Sequence, residues 1–93
     1  MILEIVSPEA KLFSGEVTSV TLPGVDGSFQ ILNNHAPIVS ILEKGTIKIA
    51  ASNFNFSKEV ATKFKKVNDQ TYTLEITSGT IEMKDNKVIV LVD

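Results

Sequence analysis

The sequence predicts an all-β domain, either an antiparallel sandwich or a barrel of short strands. Short runs in which apolar and polar residues alternate recur along the chain, and this period of two is typical of half-buried strands. Residues that favour turns (Gly, Pro, Asn and Asp) separate these runs at close spacing. A chain of 93 residues has the length of one domain, so we expect residues 1–93 to share a single hydrophobic core.

Turn signals divide the first half of the chain into a series of candidate strands. These are Ile2–Val6, Lys11–Glu16, Val17–Leu22, Ser28–Leu32, Ile38–Leu42 and Thr46–Ala50. Pro23–Gly24 is expected to end the third candidate, and Asp26–Gly27 supplies the next turn. Asn33–Asn34 suits a turn with positive φ, because asparagine tolerates the left-handed conformation better than most residues that carry a side chain.

The last part of the chain gives the clearest strand patterns. Thr71–Thr77 alternates between apolar and polar residues, which predicts a strand with one buried face. Thr80–Lys84 and Val88–Val92 flank Asp85–Lys87, and this arrangement predicts a hairpin. Because Val88–Val92 is apolar at every position, we expect this final strand to be covered on both faces.

The segment 52–70 does not fit this pattern, because it is polar and rich in lysine. Phe54 and Phe56 alternate as in a strand. The apolar residues that follow have helical spacing: Val60, Phe64 and Val67. We interpret the segment as a long hairpin extension with a possible helical turn. It is either a solvated excursion, or else an additional docking surface or a contact for an acidic partner.

The composition excludes several classes of function. The formal net charge is −2, and all nine basic residues are lysines. Without a basic surface or arginine, the chain lacks the groups that bind the phosphate backbone and read base edges, so we expect no nucleic-acid partner. Cysteine is absent, which excludes disulfides, zinc–thiolate sites and thiol catalysis.

The sequence also bears on membrane association. The start of the chain has no basic leader and carries Glu4, so it does not read as a signal peptide. No apolar stretch approaches the roughly 20 residues that a membrane-spanning helix needs. We therefore expect any contact with a membrane to be indirect, through a partner.

His35 is the single histidine and the one side chain whose ordinary pKa lies near neutral pH. A catalytic histidine needs an orienting carboxylate and a nucleophile. The candidates are Asp26, the nearest acid in the same corner region, and Ser40, the nearest downstream hydroxyl. No nucleophile elbow surrounds a serine, and the acidic residues are too scattered for a metal site. Gly24 and Gly27 do not form a phosphate-binding loop. We expect no catalytic residue, no metal and no cofactor, and interpret His35 as a cap of backbone carbonyls or an interface residue.

Several short segments recur in a characteristic order along residues 1–50 and 74–93. They are Val6–Glu9, Leu12–Val17, Val20–Gly24, Asp26–Phe29, His35–Ile38, Ser78–Met83 and Val88–Asp93. In this order and spacing they resemble the signature of the epsilon subunit of F-type ATP synthases. Two positions depart from that signature. Asn33–Asn34 stands where the family usually has Pro-Gly, and Ser78–Gly79 replaces a glycine pair.

The resemblance implies a sandwich of about ten strands that is not an enzyme by itself. It implies a place in the central stalk, between the gamma subunit and the c-ring, where the chain would couple proton-driven rotation to ATP synthesis. The implied c-ring interface consists of Asp26, Gly27, Ser28, Asn33, Asn34 and His35. The implied gamma interface consists of Ser7, His35 and Ser40. The implied location is peripheral, on the cytoplasmic face of a bacterial inner membrane.

The end of the chain suggests a further difference from the family. In most members two helices follow the segment that corresponds to Val88–Asp93, and these helices regulate ATP hydrolysis. This chain stops at Asp93, so we expect helix-mediated inhibition and ATP sensing to be missing. Two alternatives remain open: a free-standing β-sandwich that binds a carbohydrate or a protein, and a hydrolase centred on His35.

Overall fold

Ten short strands make up most of the molecule, in a computed structural model that describes residues 1–93. Their bounds are β1 Ile2–Val6, β2 Lys11–Glu16, β3 Ser19–Gly24, β4 Gly27–Leu32, β5 Ile38–Leu42, β6 Gly45–Ala50, β7 Phe64–Asn68, β8 Thr71–Ile76, β9 Gly79–Lys84 and β10 Lys87–Val92. One helical turn, α1 Lys58–Ala61, precedes β7. This confirms the all-β prediction of about ten strands. The structure contains no helix with the length and apolar character needed to cross a bilayer.

The strands form one sheet that curls over itself into two layers. Neighbouring strands follow the order β2-β1-β10-β9-β5-β3-β6-β8-β7, and β4 pairs with β3. Since β5 and β3 share a single residue pair, Gly24 with Leu42, the sheet folds over at that point. The first layer is therefore β2-β1-β10-β9-β5, and the second layer is β4-β3-β6-β8-β7. The core of 22 buried apolar residues lies between the two layers.

The register gathers the turns at the two ends of this sandwich. Gly24 pairs with both Gly27 and Leu42, and Leu42 also pairs with Gly79, so the turns beside these residues lie at one end. That end, called the Asp26 end, carries the loop 7–10 and the turns 25–26, 43–44 and 77–78. The opposite end, called the His35 end, carries Met1 and the turns 33–37 and 85–86.

One strand pair departs from the antiparallel prediction. β1 and β10 run parallel, with Ile2 opposite Lys87, whereas the other strand pairs are antiparallel. Turn residues in the sequence indicate only which neighbouring strands form hairpins. β1 and β10 lie near opposite ends of the chain, so no turn residue could have indicated that they pair.

The prediction that the last strand is covered on both faces is wrong. Val88, Val90 and Val92 of β10 are buried, but Leu91 on the opposite face is 52% exposed. An apolar residue at every position is therefore not a sign of complete burial here. The outward-facing Leu91 instead adds an apolar side chain to the outside of the first layer.

Pro23–Gly24 does not end β3, which corrects a second expectation. Pro23 lies opposite Ser28, and Gly24 lies opposite Gly27. The carbonyl of Pro23 accepts a hydrogen bond of 2.8 Å from the Glu43 N–H, so its backbone groups point away from β4. The N–H that proline lacks would point in the same direction, and the β3–β4 ladder loses no hydrogen bond.

The segment 52–70 packs against the sandwich, so a solvated excursion describes only part of it. The predicted helical turn is present as α1, but Phe64 and Val67 belong to the edge strand β7 rather than to a helix. Five rings form an aromatic cluster: Phe13, Phe54, Phe56, Phe64 and Tyr72. Since Phe13 lies in β2 and Phe64 in β7, the cluster closes the open side between the free edges of the two layers.

Candidate interaction surfaces

The turn that joins β3 to β4 projects from the Asp26 end. Gly24 and Gly27 close a two-residue turn, and Gly27 has φ +113°, a conformation that glycine adopts at the lowest steric cost. Asp26, Gly27 and Ser28 are exposed, and the neighbouring Val25 is 53% exposed. This tight turn therefore presents an apolar and an acidic side chain to any partner at this end.

The Asp26 end is predominantly acidic. The exposed side chains in its turns and at the chain end include Glu9, Asp26, Glu43 and Asp93, with Lys44 among them. Ser78 donates a hydrogen bond to the Asp93 carboxylate, which ties the end of β10 to the preceding turn. Acidic surfaces favour partners that present basic groups.

The turn 33–35 lies at the opposite end of β4 and is held in place by the hairpin turn of β9 and β10. Asn86 Oδ1 accepts a 2.7 Å hydrogen bond from the Asn34 N–H, and Asn86 Nδ2 donates to Asn33 Oδ1 at 2.9 Å. The ammonium group of Met1 also donates to Asn33 Oδ1, at 3.0 Å. Asn34 has φ +61°, as its sequence position predicted. The polar groups of this turn are therefore largely engaged within the fold.

The structure does not bring the two halves of the implied c-ring interface together. Asp26–Ser28 lies at the start of β4 and Asn33–His35 follows its end, so the five residue steps from Ser28 to Asn33 separate them by about 17 Å. A partner that docks end-on reaches one group or the other. We therefore treat the Asp26 end and the His35 end as separate candidate surfaces.

His35 is exposed, and its Nδ1 donates a 2.7 Å hydrogen bond to the carbonyl oxygen of Ala36. This agrees with the interpretation that the residue caps a backbone carbonyl. Asp26, the orienting acid considered from the sequence, lies at the other end of the molecule, so the structure does not assemble the Ser/His/Asp site that the sequence left open. No group of three or more histidine and acidic side chains is arranged to hold a metal ion.

Apolar side chains lie on the outer face of the first layer, on either side of the exposed Thr80 and Glu82 of β9. Val39, Ile41 and Leu91 are 78%, 65% and 52% exposed. The register aligns Ile41 with Thr80, Thr80 with Leu91, and Leu91 with Val6 across four neighbouring strands. The outer apolar row consists of three exposed and two half-buried side chains: Val39, Ile41 and Leu91, with Val6 and Ile89. Exposed apolar side chains gathered on one face are typical of protein interfaces.

The implied gamma-facing residues lie in or beside the strands that carry the outer apolar row. Ser7 lines a cavity of about 540 Å³ whose walls include Val6, Ile41 and Leu91. Ser40 lies in β5 between the exposed Val39 and Ile41, but it is half-buried because its side chain faces the inner side of the layer. His35 precedes β5 at the His35 end. Ser7 and His35 therefore lie near opposite ends of this surface, and Ser40 lies on the reverse face of β5.

Lysines line the free edge of β7 and the segment before it. Lys58, Lys63, Lys65 and Lys66 are exposed, and Lys66 Nζ lies 3.0 Å from the Asp69 carboxylate. The hydrogen bond and the charge of Asp69 raise the pKa of Lys66 above its ordinary value, so this ammonium stays charged throughout the physiological range. Charged side chains on an edge strand discourage pairing with other chains, and this gives the lysines a protective role.

The outer apolar row was not predicted from the sequence. β5 and β10 each show the apolar residues that form it, but the unbroken apolar run Val88–Val92 predicted a strand covered on both faces. The sequence alone could not show that Ile41 and Leu91 lie on the same outer face two strands apart, because that follows from the register of β9 between them.

Comparison with known proteins shows the family. The family described as "ATP synthase, Delta/Epsilon chain, beta-sandwich domain" matches residues 1–93. The ATP synthase epsilon chain of Chlorobium limicola is 37% identical over 91 residues, which are 98% of this chain and 86% of that protein. The epsilon chain of Pelotomaculum thermopropionicum is 34% identical over 89 residues, and this chain covers 54% of its length.

Solved structures share the fold. A chain in the cryo-EM structure of the central stalk and c-ring of Tetrahymena thermophila mitochondrial ATP synthase superimposes with a TM-score of 0.67 at 17% identity, over 98% of this chain and 61% of that chain. A chain of the Euglena gracilis mitochondrial ATP synthase gives a TM-score of 0.74 at 16% identity, over 99% and 49%. With its ten-stranded sandwich and a match over its full length, the chain belongs to the family of ATP synthase delta/epsilon chain beta-sandwich domains.

Proposed function

We propose that this chain is the epsilon subunit of the central stalk of an F-type ATP synthase. In this role it links the gamma subunit to the c-ring and transmits proton-driven rotation toward ATP synthesis. It performs no catalysis by itself and meets the cytoplasmic face of a bacterial inner membrane only through the complex. The observation that carries the proposal is the presence of two different exposed surfaces, the outer apolar row and the acidic Asp26 end, on one small sandwich.

The outer apolar row is the proposed gamma interface. Its three most exposed members lie in β5 and β10, close to the positions that the resemblance assigns to gamma: Ser7, His35 and Ser40. Burial of apolar surface is the main favourable term in stable protein association. A subunit that must stay attached through many rotations needs such a surface on its stalk-facing side.

The Asp26 end, apart from the loop 7–10 that carries Ser7 beside the proposed gamma interface, is the proposed c-ring interface. Its turns are exposed and acidic, and the Val25–Asp26 turn projects from the sheet. At the His35 end, by contrast, Asn33 and Asn34 already hydrogen-bond to Asn86. Those groups stabilise the fold and are less available to a partner.

Single-cysteine cross-linking tests both assignments, because the chain has no cysteine of its own. Ser28→Cys marks the Asp26 end, and Ile41→Cys marks the outer apolar row. Lys48→Cys is the matched control, since Lys48 is exposed on the outer face of the second layer. Each variant is labelled with a short photo-reactive cross-linker and assembled with gamma and the c-ring.

We expect Ser28→Cys to cross-link to subunit c, Ile41→Cys to cross-link to gamma, and Lys48→Cys to cross-link to neither. If the purified chain forms no complex with gamma, the proposal fails, and a free-standing binding module becomes the better description. If the complex forms but the two partners are exchanged between the sites, the subunit role stands and the assignment of surfaces is wrong.

A further inference from the structure

The free edge of β5 is the one part of the outer apolar row whose backbone is also open to a partner. β5 pairs with β9 along its length, and its other side meets β3 only at the Gly24–Leu42 pair. Beyond that pair, Ile38–Ile41 has no strand beside it. An edge of this kind is a template for an additional strand.

The hydrogen-bond pattern shows which backbone groups face this edge. Asp85 and Asn86 form the two-residue turn between β9 and β10, so Lys84 and Lys87 are a hydrogen-bonded pair. Because bonded and non-bonded pairs alternate along antiparallel strands, Ile81 directs its backbone groups to β5, where it meets Ser40.

It follows that the odd-numbered residues of β5 point away from β9. A separate bond agrees with this: the Glu43 N–H donates to the Pro23 carbonyl at 2.8 Å, on the side of β5 that faces away from β9. The N–H and C=O of Val39 and the N–H of Ile41 are therefore directed to the free edge. Neither N–H donates any of the backbone hydrogen bonds that lie outside the helix and the strands.

The side chains of the same two residues lie on the outer face, where Val39 is 78% and Ile41 is 65% exposed. β5 contains no lysine, no proline and no bulge, in contrast to the edge strand β7, which carries Lys65 and Lys66. An exposed, apolar and unprotected edge strand is the arrangement used for recognition by strand addition.

We propose that an extended segment of the gamma subunit adds to the free edge of β5 and extends the first layer by one strand. This inference rests on the proposed function. The segment would hydrogen-bond to the backbone of Val39 and Ile41, and its alternate apolar side chains would cover theirs. His35 and Ser40, which the resemblance assigns to the gamma side, lie before and within the same strand. The proposal makes gamma recognition depend on main-chain hydrogen bonds and not only on side-chain packing.

Two substitutions at one position separate these contributions. Val39→Pro removes the edge-facing N–H, and the sandwich itself does not use that group. Val39→Ala removes most of the side chain but keeps the N–H. If a strand adds at this edge, Val39→Pro should bind gamma about tenfold or more weakly than Val39→Ala, because a hydrogen bond is lost and its partner is left unsatisfied. Equal affinities of the two variants would overturn the proposal.

Amide hydrogen exchange on the unmodified chain gives a second readout that does not depend on the folding of a variant. The amides of Val39 and Ile41 should exchange rapidly in the free chain and at least about tenfold more slowly in the gamma complex, since hydrogen-bonded amides are protected. A stable complex in which both amides stay unprotected would overturn strand addition while leaving the subunit role intact. Failure of gamma to bind at all would instead overturn the proposed function.

Sedimentation of the chain alone tests whether a second copy of this chain, instead of gamma, pairs with the free edge of β5. We expect a monomer at tens of micromolar concentration. A dimer that protects the Val39 and Ile41 amides would show that β5 pairs with itself, and would overturn the assignment to gamma.

Discussion

Gly27 adopts a backbone conformation that residues with side chains rarely adopt. Its φ is +113°, while a Cβ added to it would meet no atom within 4 Å. Any cost of Gly27→Ala therefore comes from the backbone and not from a clash. We expect this substitution to lower the free energy of unfolding by about 1–2 kcal/mol, as measured by urea denaturation.

Gly15→Ala is the matched control for this prediction. Gly15 also lies in a strand, its φ is outside the left-handed region, and the nearest atom to an added Cβ is Phe13 Cζ at 3.4 Å. We expect Gly15→Ala to change stability by less than about 0.5 kcal/mol. If both variants lose the same stability, strand context rather than the positive φ explains the cost.

Asp85 and Asn86 share a left-handed backbone conformation and differ in what their side chains bind. Both have positive φ, +53° and +59°, so replacement by glycine relieves each of them equally. Only Asn86 forms hydrogen bonds with Asn33 and Asn34 across the His35 end. We expect Asn86→Gly to be less stable than Asp85→Gly by about 1–2 kcal/mol, as measured by thermal and urea unfolding of both variants. Equal stabilities would show that the asparagine contacts contribute nothing.

At the scale of elements, the segment 52–70 contributes to stability through its aromatic side chains. Phe56 lies 4.4 Å from Phe64 and 5.0 Å from Tyr72, measured between ring centroids. Because Phe56 is only half-buried, we expect Phe56→Ala to cost about 2–3 kcal/mol, below the 3–5 kcal/mol of a fully buried ring. The free energy of unfolding in urea checks this value.

Val67→Ala is the control within the same segment, because Val67 is 56% exposed. We expect it to cost less than about 0.5 kcal/mol. Limited proteolysis gives an independent readout, since detachment of the segment in Phe56→Ala should speed cleavage after the neighbouring lysines. Cleavage at the wild-type rate would contradict the role of the aromatic cluster in holding the segment.

The elements that the sequence predicted well are those defined by local chemistry. The Asp85–Asn86 hairpin and the Asn34 turn follow from residues that tolerate positive φ, and the period of two located the strands. The parallel pairing of β1 with β10 and the packing of Phe54 and Phe56 against Phe13 were not predicted, because both depend on contacts between distant parts of the chain.

In the candidate site, too, local features could be predicted from the sequence and long-range ones could not. The resemblance supplied residues for each partner, but the sequence could not show that Asp26 and His35 lie at opposite ends of β4. Nor could it show that Val39, Ile41 and Leu91 form one surface, since their proximity is set by the register of β9. Interfaces built on a sheet are tertiary features, and local patterns contain little information about them.

At the scale of the whole molecule, the two proposed interfaces lie on one sandwich whose strands run from end to end. The molecule measures 32 × 26 × 21 Å, and a continuous hydrogen-bonded sheet connects the outer apolar row with the Asp26 end. Such a body can transmit a force from one partner to the other without a moving part. The two partners should then bind independently, because neither surface needs to change shape.

This independence gives a last prediction. Leu91→Lys places a charge in the outer apolar row and should weaken gamma binding about tenfold or more, because a desolvated unpaired charge is costly at an interface. Asp26→Lys should weaken c-ring binding and leave gamma binding unchanged. Since β9 and β5 lie between Leu91 and the strand β3 that precedes Asp26, we expect the effects of the two substitutions on the assembled stalk to add within about 0.5 kcal/mol. The affinities of both single variants and the double variant check this additivity. A large coupling between the two substitutions would mean that the sandwich changes shape when it binds, and would contradict a rigid rotor part.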